Sequence, residues 1–336
     1  MTIKPVFADA APLSRLPDNQ VLPDNQVLPD ARAFLADLVS GFAGPQKSLP
    51  AKYFYDAAGS DLFEAITRQP EYYPTRTELG ILDARGAEIA ALLPRGAALV
   101  EFGSGSTVKV RRLLAHLPDL AAYVPVDVSE TFLRSEAEAL QADFPHLRIA
   151  PIAADFTRAF ALPADLGEGA HAGFFPGSTI GNFEPPEAAR LLESFGKVLS
   201  AGAMLIVGVD LVKDRGVLEA AYDDRAGVTA AFNRNLLARI NRELSGTFEL
   251  GAFAHRAVFN ARASRIEMHL VSRADQTVTV ASRAFAFAEG ETIHTENSYK
   301  YTIDGFRALA ARAGWTPVAV WTDPDALFSV HALRRA

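Results

Sequence analysis

The sequence predicts an α/β fold, a doubly wound and mostly parallel sheet accompanied by a second α+β domain. Three observations carry this. Short, almost continuously apolar runs recur at 97–102, 122–127, 172–175 and 203–209, as strands buried on both faces require. Stretches of helical period separate them. The pattern then changes over 248–288 to period-two alternation, as in Arg265-Ile-Glu-Met-His-Leu-Val271 and Thr277-Val-Thr-Val280. That reads as antiparallel strands with one solvated face.

Taken in order, residues 1–27 hold a tandem unit, Leu16-Pro-Asp-Asn-Gln-Val21 followed by Leu22-Pro-Asp-Asn-Gln-Val27. Two copies of so short a unit cannot stack into a solenoid, so a flexible arm is expected. A helix is expected over 30–42, with Phe34, Leu35, Leu38 and Val39 apolar and Gly44-Pro45 ending it. Residues 52–78 are dense in tyrosine: Tyr53-Phe54-Tyr55 precede a helix capped at Ser60 or Asp61, and Tyr72-Tyr73-Pro74 follow it. These rings are either core or an aromatic lid over a cofactor cleft. A helix over 77–93 leads into the first strand. Helices over 108–117, over 129–142 with Ser129 as N-cap, and from Pro185 at N1 then alternate with strands at 122–127, 148–155, 172–175 and 203–209. Residues 217–244 read as one helix with a polar stripe of Asn233, Asn235 and Asn241. A helix over 304–313, stopped by Gly314, and strands at 318–321 and 327–333 close the chain. The expected division is an arm (1–27), a substrate-binding α+β domain (28–76 plus 212–299) and the doubly wound domain (77–211 plus 300–336), with a cleft between the two domains.

The first strand ends in Glu101-Phe-Gly103-Ser-Gly105, ahead of a helix. Glycine reaches positive φ freely and lets a ligand approach the backbone, and the helix start supplies unpaired N–H groups. A dinucleotide fingerprint needs a third glycine at 108, where this chain has Val108. Its absence counts against NAD or FAD. Glu101-x-Gly103-x-Gly105 instead resembles the first motif of S-adenosylmethionine-dependent methyltransferases, a Rossmann-like class. Asp127, which closes the next strand, is placed to accept from two ribose hydroxyls. Asp155-Phe156, at the end of the third strand, would accept from the adenine amino group and pack on its ring. The loop 176–183 lies where open α/β sheets place their substrates.

The 336 residues include no cysteine, which excludes disulfides, thiolate metal sites and cysteine nucleophiles. The seven histidines show no HExxH-like spacing, so no metal is expected. A net charge of −7 lacks the basic footprint of nucleic-acid binding. No apolar run is long enough to span a membrane, and the N-terminus has no signal-peptide pattern. A cytoplasmic monomer acting on a small molecule is expected.

Larger blocks sharpen the reading. KYFYDAAGSDLFEAIT, EYYPTRTE, EFGSGS, PGSTIGNF, GVDLVKD, AAYDD, GVTAAFNRNLL, IEMHLVS and IHTENSYKY together resemble the histidine Nα-methyltransferases of ergothioneine biosynthesis, from about residue 30 to the C-terminus. The resemblance implies a class I methyltransferase domain with a second domain. It also implies trimethylation of the α-amino group of L-histidine to hercynine by S-adenosylmethionine. Carried over, Gly103, Lys109, Asp127, Asp155 and Phe156 would contact the cofactor. Tyr72, Asn182 and Tyr222 would hold the backbone groups of histidine. Glu296 and Ser298 would hold its imidazole, with Met268 and Phe63 lining that pocket. Tyr55 would stand close to the amino group, and Tyr55, Tyr72 and Asn182 form the expected catalytic set.

The chemistry suits these residue types. Methyl transfer is an in-line displacement at a sulfonium carbon, so alignment of the amine lone pair does most of the work. A free α-amine has a pKa of about 7.7–8.0 and keeps a neutral fraction without a strong base. Tyrosine and asparagine orient it by neutral hydrogen bonds, whereas a carboxylate beside it would stabilise the ammonium. Aromatic faces suit the growing quaternary cation. Glu296 is better placed at the imidazole N–H, where an unpaired carboxylate would reject other amino acids. The rival readings are a methyltransferase of the same fold for another amino acid such as tryptophan, a nucleotide-cofactor oxidoreductase, and a non-catalytic sensor of the cofactor.

Overall fold

The computed structural model describes residues 29–163, 166 and 170–336; the arm expected over 1–27 lies outside them. The chain begins with α1 (Pro29–Phe42), β1 (Lys47–Ser48), α2 (Ala57–Thr67) and α3 (Tyr73–Ala90). Asp56, rather than Ser60 or Asp61, caps α2, accepting from the Gly59 N–H at 2.7 Å. Asn235 and Arg242 also donate to Asp56, at 2.8 and 2.6 Å. The cap is thus fixed from a helix distant in sequence. α3 starts at Tyr73, earlier than 77, because Pro74 is pre-set for a first helical turn.

Gly59 has no room for a side chain, since a Cβ there would lie 1.7 Å from the carbonyl oxygen of Phe54. The Gly59→Ala variant is expected to lose about 1–3 kcal/mol through overpacking and to misplace the neighbouring Tyr55. A thermal melt reads this directly; an unchanged midpoint would show that the Phe54 carbonyl can move away at no cost.

The doubly wound part follows as β2 (Ala98–Phe102), α4 (Val108–Leu114), β3 (Ala122–Asp127), α5 (Glu130–Asp143), β4 (Arg148–Ile149), β5 (Ile152–Ala153), β6 (His171–Phe175), α6 (Pro185–Leu199) and β7 (Met204–Asp210). The expected strand 148–155 is two short pieces divided at Pro151, which has no N–H for the ladder. Ser129 occupies the N-cap position of α5, but its side chain makes no capping bond. α4 stops at Leu114 rather than 117.

Next come α7 (Arg215–Tyr222) and α8 (Val228–Leu244). The single helix expected over 217–244 is broken because the Asp224 carboxylate accepts from the Val228 and Thr229 N–H groups at 2.9 and 2.7 Å, starting a new helix after Gly227 at φ 72°. β8 (Phe253–Asn260), β9 (Arg265–Ser272), β10 (Gln276–Val280), β11 (Arg283–Phe287) and β12 (Thr292–Tyr299) follow, then α9 (Ile303–Arg312), β13 (Trp315–Thr322) and β14 (Phe328–Arg335).

The large sheet runs β13-β14-β7-β6-β2-β3-β4, with β5 also on β3. Strands β7, β6, β2, β3, β4 and β5 pair in parallel, and β14 and β13 add antiparallel at one edge. The chain order reverses at β2, between β3 and β6, so the carboxyl end of β2 is the switch point at which open α/β sheets bind their ligands. A second sheet, β1-β12-β9-β8, and the β10–β11 hairpin stand apart. One apolar cluster draws its buried residues from 34–73 and 218–293. Two others, on the large sheet, draw theirs from 81–333 while skipping that insertion.

Candidate functional site

The glycine turn after β2 is built as its sequence suggests. Gly103 and Gly105 take φ of 72° and 42°, the region glycine occupies at least cost. The Gly103 and Ser104 N–H groups both donate to the Val126 carbonyl, at 2.8 and 3.1 Å. A Cβ on Gly103 would meet the Phe156 ring at 3.1 Å, so this ring closes over the turn. The Asp127 carboxylate stands beside it, accepting from the Gly105 N–H at 3.3 Å and the Ser129 N–H at 3.0 Å. Asp155 is partly exposed and accepts from the Thr157 N–H and hydroxyl at 2.9 and 2.5 Å. Lys109 is pinned to Glu78 at 2.9 Å, and Glu78 in turn accepts from the Gly177 N–H.

Glu101 is fully buried beneath the turn. Burial pushes its carboxyl up to about 8, although the Tyr123 hydroxyl donates to it. Its Oε1 has no partner among the described residues. A bend without Cβ atoms, an orphaned buried oxygen and a strand-end carboxylate form a cradle that fits S-adenosylmethionine.

The loop 176–183 reaches toward the second sheet. Gly181 packs so closely that a Cβ would lie 2.7 Å from the Tyr299 carbonyl oxygen. Ser178, at φ 55°, accepts from the Asp210 N–H at 2.9 Å. Asn182 ends this turn and is partly exposed.

Glu296 and Ser298 on β12, and Lys300 just beyond its end, follow one another at period two, so they share a face. A bulge between His294 and Glu296 re-aims the strand just before them. Met268 lies opposite Glu296 in the register and is buried. Tyr72 packs on Tyr222 (6.1 Å between centroids) and on Phe63 (6.2 Å), and Phe63 packs on Tyr55 (5.8 Å). Tyr222 and Ser298 share a hydrogen bond of 2.7 Å. Burial, reinforced by Glu296 among other neighbours, raises Tyr72 and Tyr222 above the ordinary tyrosine value, so both stay protonated. Tyr55 is 40% exposed and also packs edge-on against Phe232 (5.9 Å between centroids).

The Glu296 carboxylate makes no side-chain hydrogen bond or ion pair to the described residues and is partly accessible. Desolvation pushes it up to about 7, with Lys300 drawing the other way. A carboxylate held in such surroundings without a partner is poised for a ligand N–H.

Sequence reasoning missed Lys300, whose ammonium is buried on Asp210 (2.6 Å), Ser298 (2.8 Å) and Tyr222 (2.9 Å). Its signal was the period-two face of IHTENSYKY. Tyr73 and Lys213 complete this node, both donating to Asp210. The fold also assembles a histidine pair that spacing hid. Glu267, His269 and His294 bring potential donor atoms within 4.8 Å of one another. Glu267 is already engaged: burial works against its charge, yet bonds from Asn260 and Arg265 hold it down at about 2. With that carboxylate spent on Asn260 and Arg265, the cluster keeps no free anionic donor, and we assign it no ion.

Among the described residues no helix is long and apolar enough to cross a membrane. The chain is 46% identical to a histidine N-alpha-methyltransferase of Mycolicibacterium smegmatis over 89% of this chain and 94% of that one. It is 43% identical to the corresponding protein of Mycobacterium tuberculosis, over 87% and 91%. It is 29% identical to ergothioneine biosynthesis protein 1 of Neurospora crassa, over 87% of this chain and 34% of that longer protein. A family model described as "Histidine-specific methyltransferase, SAM-dependent" matches residues 34–335. With the glycine turn, the acidic strand ends and the tyrosine-lined face of β12 in one molecule, the chain belongs to the histidine-specific, S-adenosylmethionine-dependent methyltransferases.

Proposed function

We propose that this protein methylates the α-amino group of L-histidine three times to give hercynine, in the ergothioneine pathway. The carrying observation is the Glu296 carboxylate, which has no side-chain partner among the described residues and shares its strand face with Ser298, itself bonded to Tyr222 beside Tyr72. Residues 77–211 plus 300–336 hold the methyl donor, and 28–76 plus 212–299 present the amino acid. The separate apolar clusters of the two parts support this division.

On this reading Gly103, Asp127, Asp155 and Phe156 hold the donor, and Lys109 steadies the loop beside it through Glu78. S-adenosylmethionine supplies a methyl group on a sulfonium, which leaves as a neutral sulfide once the amine lone pair has attacked. Tyr72, Asn182 and Tyr222 orient the carboxylate and amine through neutral groups, so the amine is free to lose its proton to solvent. Tyr55 closes the amine side with an aromatic face for the growing cation. Glu296 accepts the imidazole N–H and Ser298 serves the other ring nitrogen, with Met268 and Phe63 packing on the ring. The protein works as a cytoplasmic monomer on two small molecules.

Incubation with S-adenosylmethionine and L-histidine, followed by mass spectrometry, should give mono-, di- and trimethylated histidine. An amino-acid panel in one tube should leave tryptophan unmodified while histidine is consumed. Preferential methylation of another amino acid would overturn the substrate assignment.

A further inference from the structure

Beneath the proposed substrate face lies a buried ion pair, Lys300 with Asp210, that the methyl-transfer scheme does not use. Lys300 is 2% exposed. An ammonium has three donors, and here each has one acceptor: Asp210 Oδ2 at 2.6 Å, Ser298 Oγ at 2.8 Å and Tyr222 Oη at 2.9 Å. Asp210, fully buried, is further held by the Tyr73 hydroxyl at 2.8 Å and Lys213 at 2.6 Å. The carboxyl end of β7 in the large sheet is thereby tied to the end of β12 in the small one.

The proton count of this node is closed. Both hydroxyl oxygens accept from Lys300, and they lie 2.7 Å apart, so one O–H is spent on the other oxygen. Two hydroxyl protons less one leaves a single O–H for a ligand. We propose that Lys300 is a positioning residue: by donating to both oxygens it keeps their protons off its own side, so that the Tyr222–Ser298 pair, whichever of the two donates to the other, offers one O–H toward the substrate ring. With Glu296 on the same strand face able to accept an N–H, the site then reads one donor and one acceptor. A neutral imidazole carries that pair, and an indole or phenyl ring does not. Without the ammonium the two hydroxyls can rotate or take water, and the directed donor is lost. The inference rests on the histidine reading above and extends it to a residue with no direct contact with the substrate.

Lys300→Met alone leaves Asp210 with Lys213 as its one cation, so it is compared with the double change Asp210→Asn/Lys300→Met, which removes the buried pair together and leaves Lys213 on the Tyr73 hydroxyl and the Leu211 carbonyl. Wild-type protein is first shown to methylate histidine; if it does not, the histidine reading itself falls. In the double variant the KM for histidine should rise about tenfold or more, as for a lost hydrogen bond, with the Kd for S-adenosylhomocysteine within about twofold of wild type. Adding Ser298→Ala to the double variant should raise KM by less than about a further twofold, because the two act through one donor. A wild-type KM in the double variant would show that Lys300 only neutralises Asp210. A full, independent effect of Ser298→Ala in that background would show that Lys300 does not act through the serine. Either result overturns the proposal.

Discussion

The Glu296→Ala variant is expected to lose histidine methylation by a factor of about 10–150 in kcat/KM, the equivalent of about 1.5–3 kcal/mol for a hydrogen bond to a charged group. Binding of S-adenosylhomocysteine, followed by calorimetry, should be unchanged. The reason is position: Glu296 lies on β12, on the face it shares with Ser298, whereas the glycine turn belongs to the other sheet. Equal losses of both ligands would mean a damaged fold and would remove Glu296 from the recognition role. The same residue sets a pH dependence. Its carboxyl titrates at about 7, so below that value it is a neutral acid and above it an acceptor for the imidazole N–H. The KM for histidine should therefore fall as pH rises from 6 to 8, and Glu296→Gln should flatten this profile. The sign for stability is opposite. Between the ordinary glutamate value of 4.5 and about 7, the folded protein retains a proton that the unfolded chain releases, so stability falls as pH rises through that window.

The second large effect is expected at Asp127. Replacing it by alanine should weaken S-adenosylhomocysteine by about 100-fold or more, since two hydrogen bonds to a carboxylate are worth at least about 3 kcal/mol together. It should also loosen the turn, because the Gly105 and Ser129 N–H groups lose their shared acceptor. Asp127→Asn keeps an oxygen for one of those groups and should lie between alanine and wild type. Calorimetry on the three proteins is sufficient. A Kd for Asp127→Ala within a few-fold of wild type would show that the ribose is held elsewhere and would undo the proposed donor site.

Set side by side, the two variants separate the ligands: one should cost histidine and spare the cofactor, the other the reverse. That separation follows from a chain in which the sheet with the glycine turn and the sheet with Glu296 belong to different apolar clusters.

Much of this was legible in the sequence, and the reason is local. A strand buried on both faces must be apolar throughout, so β2, β3, β6 and β7 announced themselves. A tight bend that must reach positive φ calls for glycine, so Gly103 and Gly105 marked the turn. What the sequence misplaced was decided by contacts between distant segments. The cap of α2 lies at Asp56 because Asn235 and Arg242 reach it from α8, and no local rule weighs those partners. The helix over 217–244 broke where Asp224 found two N–H groups to accept from.

By itself the sequence determined the fold class, the glycine turn and the acidic residues at the strand ends, since each depends on periodicity or on the backbone demands of a few neighbouring residues. Only the tertiary structure decided which charges are buried together. The pairing of Asp210 with Lys300, the orphaned oxygen of Glu101 and the unpartnered carboxylate of Glu296 all arise when the sheets pack and water leaves. Where packing strips water from a charge, fully at Asp210 and Glu101 and in part at Glu296, that charge is either matched by a neighbour from elsewhere in the chain or left ready for a ligand.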